Sequence, residues 1–112
     1  MNIEDFRNYC LSLPHVTEDL PFGPEALVFK VKGKMFALTH IENFESINLK
    51  CEPEKAVLLR ESYQGVLPGY HMNKKHWNTI LMDGSIPDDL IIEWTNESYK
   101  LVVNALPKSL RF

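Results

Sequence analysis

Leu27-Val28-Phe29-Lys30-Val31-Lys32-Gly33-Lys34-Met35-Phe36-Ala37-Leu38-Thr39-His40-Ile41 is the stretch that decides the fold class. Over 27–32, Leu27, Phe29 and Val31 alternate with Val28, Lys30 and Lys32. Over 35–41, Met35, Ala37, Thr39 and Ile41 alternate with Phe36, Leu38 and His40. A period of two sends successive side chains to opposite faces of a strand. Lys32-Gly33 between the runs suits a tight hairpin turn, because glycine takes positive φ without a steric penalty. Strands joined so closely pair antiparallel.

Working outward, Ser46 to Glu52 reads as a third strand, with Ile47, Leu49 and Cys51 on one face. Pro53 then suits the first position of a helix, with Glu54 in its first turn. Ala56, Leu59 and Tyr63 give that helix its apolar stripe, and Gly65 lies just past its end. Residues 66–70 read as a short strand broken by Pro68-Gly69, and 76–82 as a further strand closed by Asp83-Gly84. A long helix opens near Pro87 and runs to Leu106, with Leu90, Ile91, Trp94, Leu101, Val102 and Ala105 as a stripe to lie across a sheet.

Upstream of the hairpin, 2–13 reads as a helix. Asn2 with Asp5 resembles a capping box, Ile3, Phe6, Cys10 and Leu13 share one face, and Pro14 stops it. Val16 and Leu20 suggest a short edge strand. Hairpin-linked strands without crossover helices imply an α+β two-layer sandwich: an antiparallel sheet of about five strands, with three helices packed mainly on one face.

The chain of 112 residues forms one domain, residues 1–112. Its 45 % hydrophobic content excludes a disordered chain. No apolar run approaches the ~18 residues of a membrane span. Two cysteines, Cys10 and Cys51, far apart and without a CxxC pair, exclude a disulfide scaffold and read as reduced thiols. Asn2, Glu4 and Asp5 stand where a secretory signal needs bases and an apolar run, so the cytoplasm is expected.

The net charge of −3 is unevenly spread. Residues 1–27 carry −4 and residues 83–112 carry −2, whereas 28–82 hold eight bases against five acids, net +3. The middle segment is the predicted sheet, and Lys30, Lys32 and Lys34 cluster at its hairpin. These lysines are either gatekeepers on a solvated strand or a phosphate-meeting patch.

Residues 68–78, Pro-Gly-Tyr-His-Met-Asn-Lys-Lys-His-Trp-Asn, carry the densest recognition chemistry. Tyr70 and Trp77 offer faces for stacking. His71, Asn73, His76 and Asn78 offer hydrogen bonds, and Lys74 and Lys75 offer charge. Bases interleaved with aromatics serve nucleic-acid sites through phosphate contacts and stacking. The alternative for the same run is a loop-to-strand join with Trp77 in the core. His71 and His76 are five apart, which suits neither a helix face nor a strand face, so no metal is expected. Glu4-Asp5 and Asp88-Asp89 suit helix N-termini, which leaves Glu18-Asp19 as the acidic pair without a structural role. Ser98-Tyr99 reads as a small residue at a helix–sheet contact beside a tyrosine hydroxyl reaching a partner. His15 and His40 read as structural or surface residues.

Pro21-Phe22-Gly23, the hairpin Val31 to Phe36, Leu49-Lys50-Cys51, the run Pro68 to Thr79 and Ser98-Tyr99 follow one another across nearly the whole chain. In these segments the sequence resembles the MmcQ/YjbR family of small bacterial proteins. The resemblance implies a CyaY-like two-layer sandwich, in agreement with the order of elements. It also implies a "double wing", DNA-binding-like character, carried over to Lys50, His71, Asn73, Lys74, Lys75, His76 and Trp77.

The expected function is thus weak nucleic-acid (DNA) binding or regulation, with Lys50, Lys74 and Lys75 on phosphates and Tyr70 or Trp77 stacking. The rival is a small-molecule or protein-binding module without catalysis, its pocket walled by Tyr70, His71 and Trp77 with Phe22. An enzyme would need two of His71, His76, Cys51 and Glu18 within hydrogen-bond reach in a cleft. None of the catalytic motifs is present, so no catalysis and no cofactor are expected, and a monomer is favoured.

Overall fold

In the computed structural model, which describes residues 1–112, six strands form one sheet in the order β1-β2-β3-β4-β6-β5. The strands are β1 (Val16–Asp19), β2 (Ala26–Val31), β3 (Lys34–His40), β4 (Ser46–Lys50), β5 (Val66–Pro68) and β6 (Trp77–Leu81). Every neighbouring pair is antiparallel. The helices are α1 (Ile3–Ser12), α2 (Pro53–Ser62) and α3 (Asp88–Asn104), and a short 3-10 turn follows at Lys108–Leu110.

The helices begin where the sequence chemistry places them. Asn2 Oδ1 accepts from the Asp5 amide at 2.8 Å, and Asp5 Oδ2 accepts from the Asn2 amide at 3.3 Å, which closes the capping box of α1. Pro53 takes the first position of α2. The β2–β3 turn has positive φ at both Lys32 (51°) and Gly33 (81°), the pattern of a two-residue hairpin turn matched to strand twist.

One face of the sheet carries Leu27, Phe29, Val31, Ala37, Ile47, Leu49, Ile80 and Val66, all in the core. All three helices pack on it. Phe6 of α1 meets Phe29 edge-on at 5.8 Å, Asn78 of β6 bonds the Ala56 carbonyl of α2, and Tyr99 of α3 meets Phe36 edge-on at 5.5 Å. The α+β sandwich read from the hairpin pattern is therefore the observed architecture, its sheet of about five strands having six.

One element departs from strict alternation. Consecutive Phe29 and Lys30 pair with Ala37 and Met35, so Phe36 is an extra residue on β3. This β-bulge turns Phe36 to the same side as Ala37, into the helix-facing core, and not to the far face with Leu38. The buried side of α3 is likewise rotated away from the apolar stripe, toward Thr95, Ser98 and Tyr99. It runs Ile91, Trp94, Thr95, Ser98, Tyr99 and Val102, while Ala105 is exposed.

Ser98 explains both departures. Extending the β3–β4 register beyond Ala37–Leu49 would bring Phe36 opposite Lys50. There the Ser98 hydroxyl stands between the strands, accepting from the Lys50 amide at 2.9 Å and donating to the Phe36 carbonyl at 2.6 Å. A small polar residue is needed where α3 comes this close. Next to it, the Tyr99 hydroxyl donates to the Pro14 carbonyl at 2.7 Å, tying α3 to the end of α1.

Ser98→Ala should leave the Lys50 amide and the Phe36 carbonyl without partners in a buried setting, at a cost of about 2–3 kcal/mol. Urea denaturation checks this. A loss below half of that would show that water replaces the hydroxyl.

Candidate nucleic-acid interface

The register collects positive charge at one end of the sheet. The Lys32-Gly33-Lys34 turn closes the β2–β3 hairpin at the end where β4 finishes in Lys50 and β6 begins, with Lys50 directly opposite Trp77. The 69–76 loop, with Lys74 and Lys75, joins β5 to β6 at that same end. Arg60 of α2 reaches it as well, its Nη1 donating to the Lys74 carbonyl at 3.2 Å. Among the lysines only Lys30 and Lys55 enter side-chain ion pairs, with Asp19 and Glu97. Lys32, Lys34, Lys50, Lys74 and Lys75 enter no ion pair, and the Lys32 ammonium lies 5.7 Å from the centre of the Phe112 ring.

The loop is held by specific bonds. The Gly69 amide donates to the Trp77 carbonyl at 2.9 Å, and a Cβ at this position would lie only 2.8 Å from Trp77 Cβ, so glycine is required by close approach. Asn73 Oδ1 accepts from the Lys75 amide at 2.9 Å, and the Asn73 carbonyl accepts from the amides of His76 and Trp77. These bonds form a compact turn that presents Lys74 and Lys75 to solvent. The His76 carbonyl in turn accepts from the Cys51 amide at 2.7 Å, tying the loop to the end of β4.

The far face of the sheet carries a second buried row, Val28, Leu38, Asn48 and Thr79, each opposite the next across four strands. Thr79 Oγ1 donates to Asn48 Oδ1 at 2.5 Å and accepts from the Tyr70 amide at 2.9 Å. The Tyr70 backbone is thereby pinned over the far face. The Tyr70 side chain borders a hollow of about 330 Å³ with His40 and Ser46, whose other walls include Glu25, Glu42 and Glu45. The two ends of the sheet therefore differ in charge: the lysines gather at the loop end, with Glu52 and Glu54 at the start of α2 beside them, and Glu25, Glu42 and Glu45 stand at the other.

The sequence-predicted residues divide accordingly. The structure brings Lys50, Asn73, Lys74, Lys75 and His76 together at the basic end, and adds Lys32, Lys34 and Arg60, which local spacing could not group with them. Tyr70 is 68 % exposed, but it stands by the acidic hollow, with the His71 ring 4.0 Å from its own. His71 has positive φ (58°), so the chain bends sharply after Tyr70. Trp77 is only 8 % exposed and belongs to the packing of the sheet. Its stacking role is corrected on that ground: a ring already covered by protein offers no face to a base. The same burial removes Trp77 as a wall of an open pocket with Tyr70 and His71. Phe22, 67 % exposed, does not line the hollow that Tyr70 borders.

Glu18 is engaged elsewhere. Its carboxylate accepts two hydrogen bonds from Arg7, both at 2.7 Å, which hold it below the usual carboxylate range. The pair clamps α1 to β1, so the Glu18-Asp19 acids do have a structural role. Asp19 caps the Leu20 amide and pairs with Lys30, and both contacts lower its pKa, the amide bond more. Both cysteines are free thiols, Cys10 buried and Cys51 half-buried, and burial is the main cause that raises each.

The family model YjbR matches residues 11–101. The chain belongs to the YjbR family. It is 42 % identical to the YbdF protein of Escherichia coli O157:H7 over 94 % of this chain and 87 % of that protein. It is 37 % identical to the YjbR protein of E. coli K12 over 99 % and 95 %. Among solved structures, the crystal structure of Deinococcus radiodurans protein DR2400 superposes with a TM-score of 0.92 at 41 % identity, covering 97 % of this chain and 84 % of that one. A Pseudomonas syringae protein superposes with a TM-score of 0.76 at 30 % identity, over 90 % and 98 %. The family match thus spans nearly the whole fold, from the end of α1 into α3. No helix is long and apolar enough to cross a membrane.

Thr79→Val should strand Asn48 Oδ1 and the Tyr70 amide, costing about 2 kcal/mol. It should also speed amide exchange at Tyr70 and His71 while leaving exchange in α1 unchanged. Uniform acceleration would show that the row on the far face is not a local clamp. Cys51 should react with N-ethylmaleimide along a pH–rate curve displaced above that of a free cysteine peptide, with Cys10 unreacted in the native state. A curve at the ordinary thiol position would show that Cys51 is not desolvated.

Proposed function

We propose that this YjbR-family protein binds nucleic acid, weakly and with strong salt dependence, through the basic end of its sheet. The observation that carries this reading is the convergence of five unpaired lysines, Lys32, Lys34, Lys50, Lys74 and Lys75, from three separate chain segments. Unpaired lysines are free to displace counterions from a phosphate backbone. Lys32 adds to the case, since it occupies a positive-φ turn position that Asn or Gly fills more readily. A charged residue kept there against local preference suggests that its charge is used.

The binding is of the positioning kind. Trp77 is covered and Tyr70 stands by the acidic hollow, so base stacking contributes little and sequence preference is low. The net charge of −3 and the acidic far end orient the molecule, basic end first, on a polyanion.

About three to five phosphate contacts on duplex DNA correspond to a slope of about −3 to −4.5 in log affinity against log salt. Fluorescence anisotropy with labelled duplex and single-stranded DNA between ~20 and ~150 mM salt measures it. The Lys74→Glu, Lys75→Glu double variant should bind at least tenfold more weakly in low salt, with the slope reduced by about 2. Absence of binding at tens of micromolar in low salt, or binding unchanged by the double variant, would refute the proposal.

A further inference from the structure

Next to the lysine end, and sharing Lys50 with it, the gap between the sheet, α2 and α3 holds a cavity of about 240 Å³. Its inner wall is made by the buried residues Leu49, Ile80, Trp94 and Asn78. Lys50, Cys51, Glu52, Lys55 and Glu97 stand nearer the mouth, where they are partly or fully exposed. We propose that this cavity is a binding site for a neutral, planar heteroaromatic molecule of one or two rings that carries a ring N–H. The cavity borders the basic end at Lys50, but this proposal does not depend on phosphate binding there.

Four observations fix the chemistry. The first is Asn78, which is 2 % exposed. Its Nδ2 donates to the Ala56 carbonyl at 3.2 Å, which orients the amide, and its Oδ1 is the one buried side-chain polar atom in the molecule without a hydrogen-bond partner. Buried acceptors in folded proteins are satisfied by protein, water or ligand. The vacant partner of Asn78 is therefore a donor, an N–H or O–H, arriving from the cavity it lines.

The second observation is charge. The Lys55 ammonium and the Glu97 carboxylate are 2.6 Å apart and neutralise each other at the mouth. The inner wall carries no ionisable group, and burial keeps the Cys51 thiol in its neutral form. Lys50 and Glu52, the other charged residues of the rim, are opposite in sign, and an ion moving past the rim to the inner wall would be desolvated without a partner, so the inner part of the site selects a neutral molecule.

The third is size. An apolar cavity of ~150 Å³ holds one benzene ring. The larger space here, with its opening, suits up to two fused rings. The fourth is rigidity. Tyr63 braces the Trp94 ring edge-on at 5.3 Å, and Leu49 and Ile80 belong to central strands. A preformed apolar wall with one fixed acceptor favours a flat, rigid ligand, which loses little conformational freedom on binding. Two sources share this chemistry: indole-type molecules and free nucleobases.

The test uses the full chain, with indole, 1-methylindole, adenine and uracil as probes. Indole, adenine or both should slow N-ethylmaleimide labelling of Cys51 at least tenfold at saturation and shift the Asn78 side-chain amide resonances in a proton–nitrogen spectrum. Protection by indole alone assigns the indole class, and protection by adenine or uracil assigns the nucleobase class. If indole binds, 1-methylindole should bind at least tenfold more weakly, because it has no N–H for Oδ1. Asn78→Leu, with resonances elsewhere unchanged, should abolish binding of the N–H probes or erase that preference. No protection by any probe at millimolar concentration overturns the proposal. So do equal binding of indole and 1-methylindole to the unaltered protein, or shifts confined to the lysine loop. The probe comparison on the unaltered chain decides the matter even if Asn78→Leu fails to fold.

Discussion

The Ser98 hydroxyl is the contact on which the arrangement depends. It occupies a rung that two β-strands would otherwise make with each other, and it belongs to a helix. A bulge opens β3 at Phe36, the hydroxyl fills the opening, and α3 is drawn against the centre of the sheet. Helix packing and strand pairing therefore share one hydrogen-bonded group. Their coupling fixes where β4 ends. Lys50 and Cys51 then follow at defined places, one at the basic end of the sheet and the other beside the cavity under α3.

From that junction two kinds of surface diverge. The sheet ends are built from loops and turns and differ in charge, with lysines at one and Glu25, Glu42 and Glu45 at the other. The gap between layers is apolar along its inner wall, with Lys50, Glu52, Lys55 and Glu97 at its rim, and one amide oxygen in it lacks a partner. A polyanion suits the first surface and is rejected by the second, because a charge entering the gap loses its hydration without compensation. The fold thus offers two recognition surfaces of different chemistry that meet at Lys50.

Much of the fold was legible in local pattern. The two-residue period over 27–41, the Asn2–Asp5 box and Pro53 at the start of α2 are local signals, and local physics decides them. Phe36 was not legible, because a bulge is set by how β3 meets its neighbours and a strict alternation sends that ring to the wrong face. Ser98 was readable as a small residue at a contact, but its partners lie in strands far away in the chain. The basic end was half legible. Lys74 and Lys75 stood out by their company, yet Lys32, Lys34 and Arg60 join them only through register and an α2 contact. Trp77 misled as a stacking residue, because an aromatic at the start of a strand reads the same whether covered or bare. Asn78 was readable only as one hydrogen-bonding group of the 68–78 run, since its place in the core depends on the Ala56 carbonyl and on a cavity made by other elements.

The edges of the sheet limit how this protein can meet others. β5 spans three residues and ends in Pro68, which has no amide hydrogen to donate, and β1 spans four residues with its acids tied to Arg7 and Lys30. A strand arriving from another chain finds too few free rungs at either margin to extend the sheet. Growth by backbone pairing, the route to fibrils and swapped dimers, is thereby discouraged. Association has to proceed through side chains, at the charged ends or in the gap beneath α3.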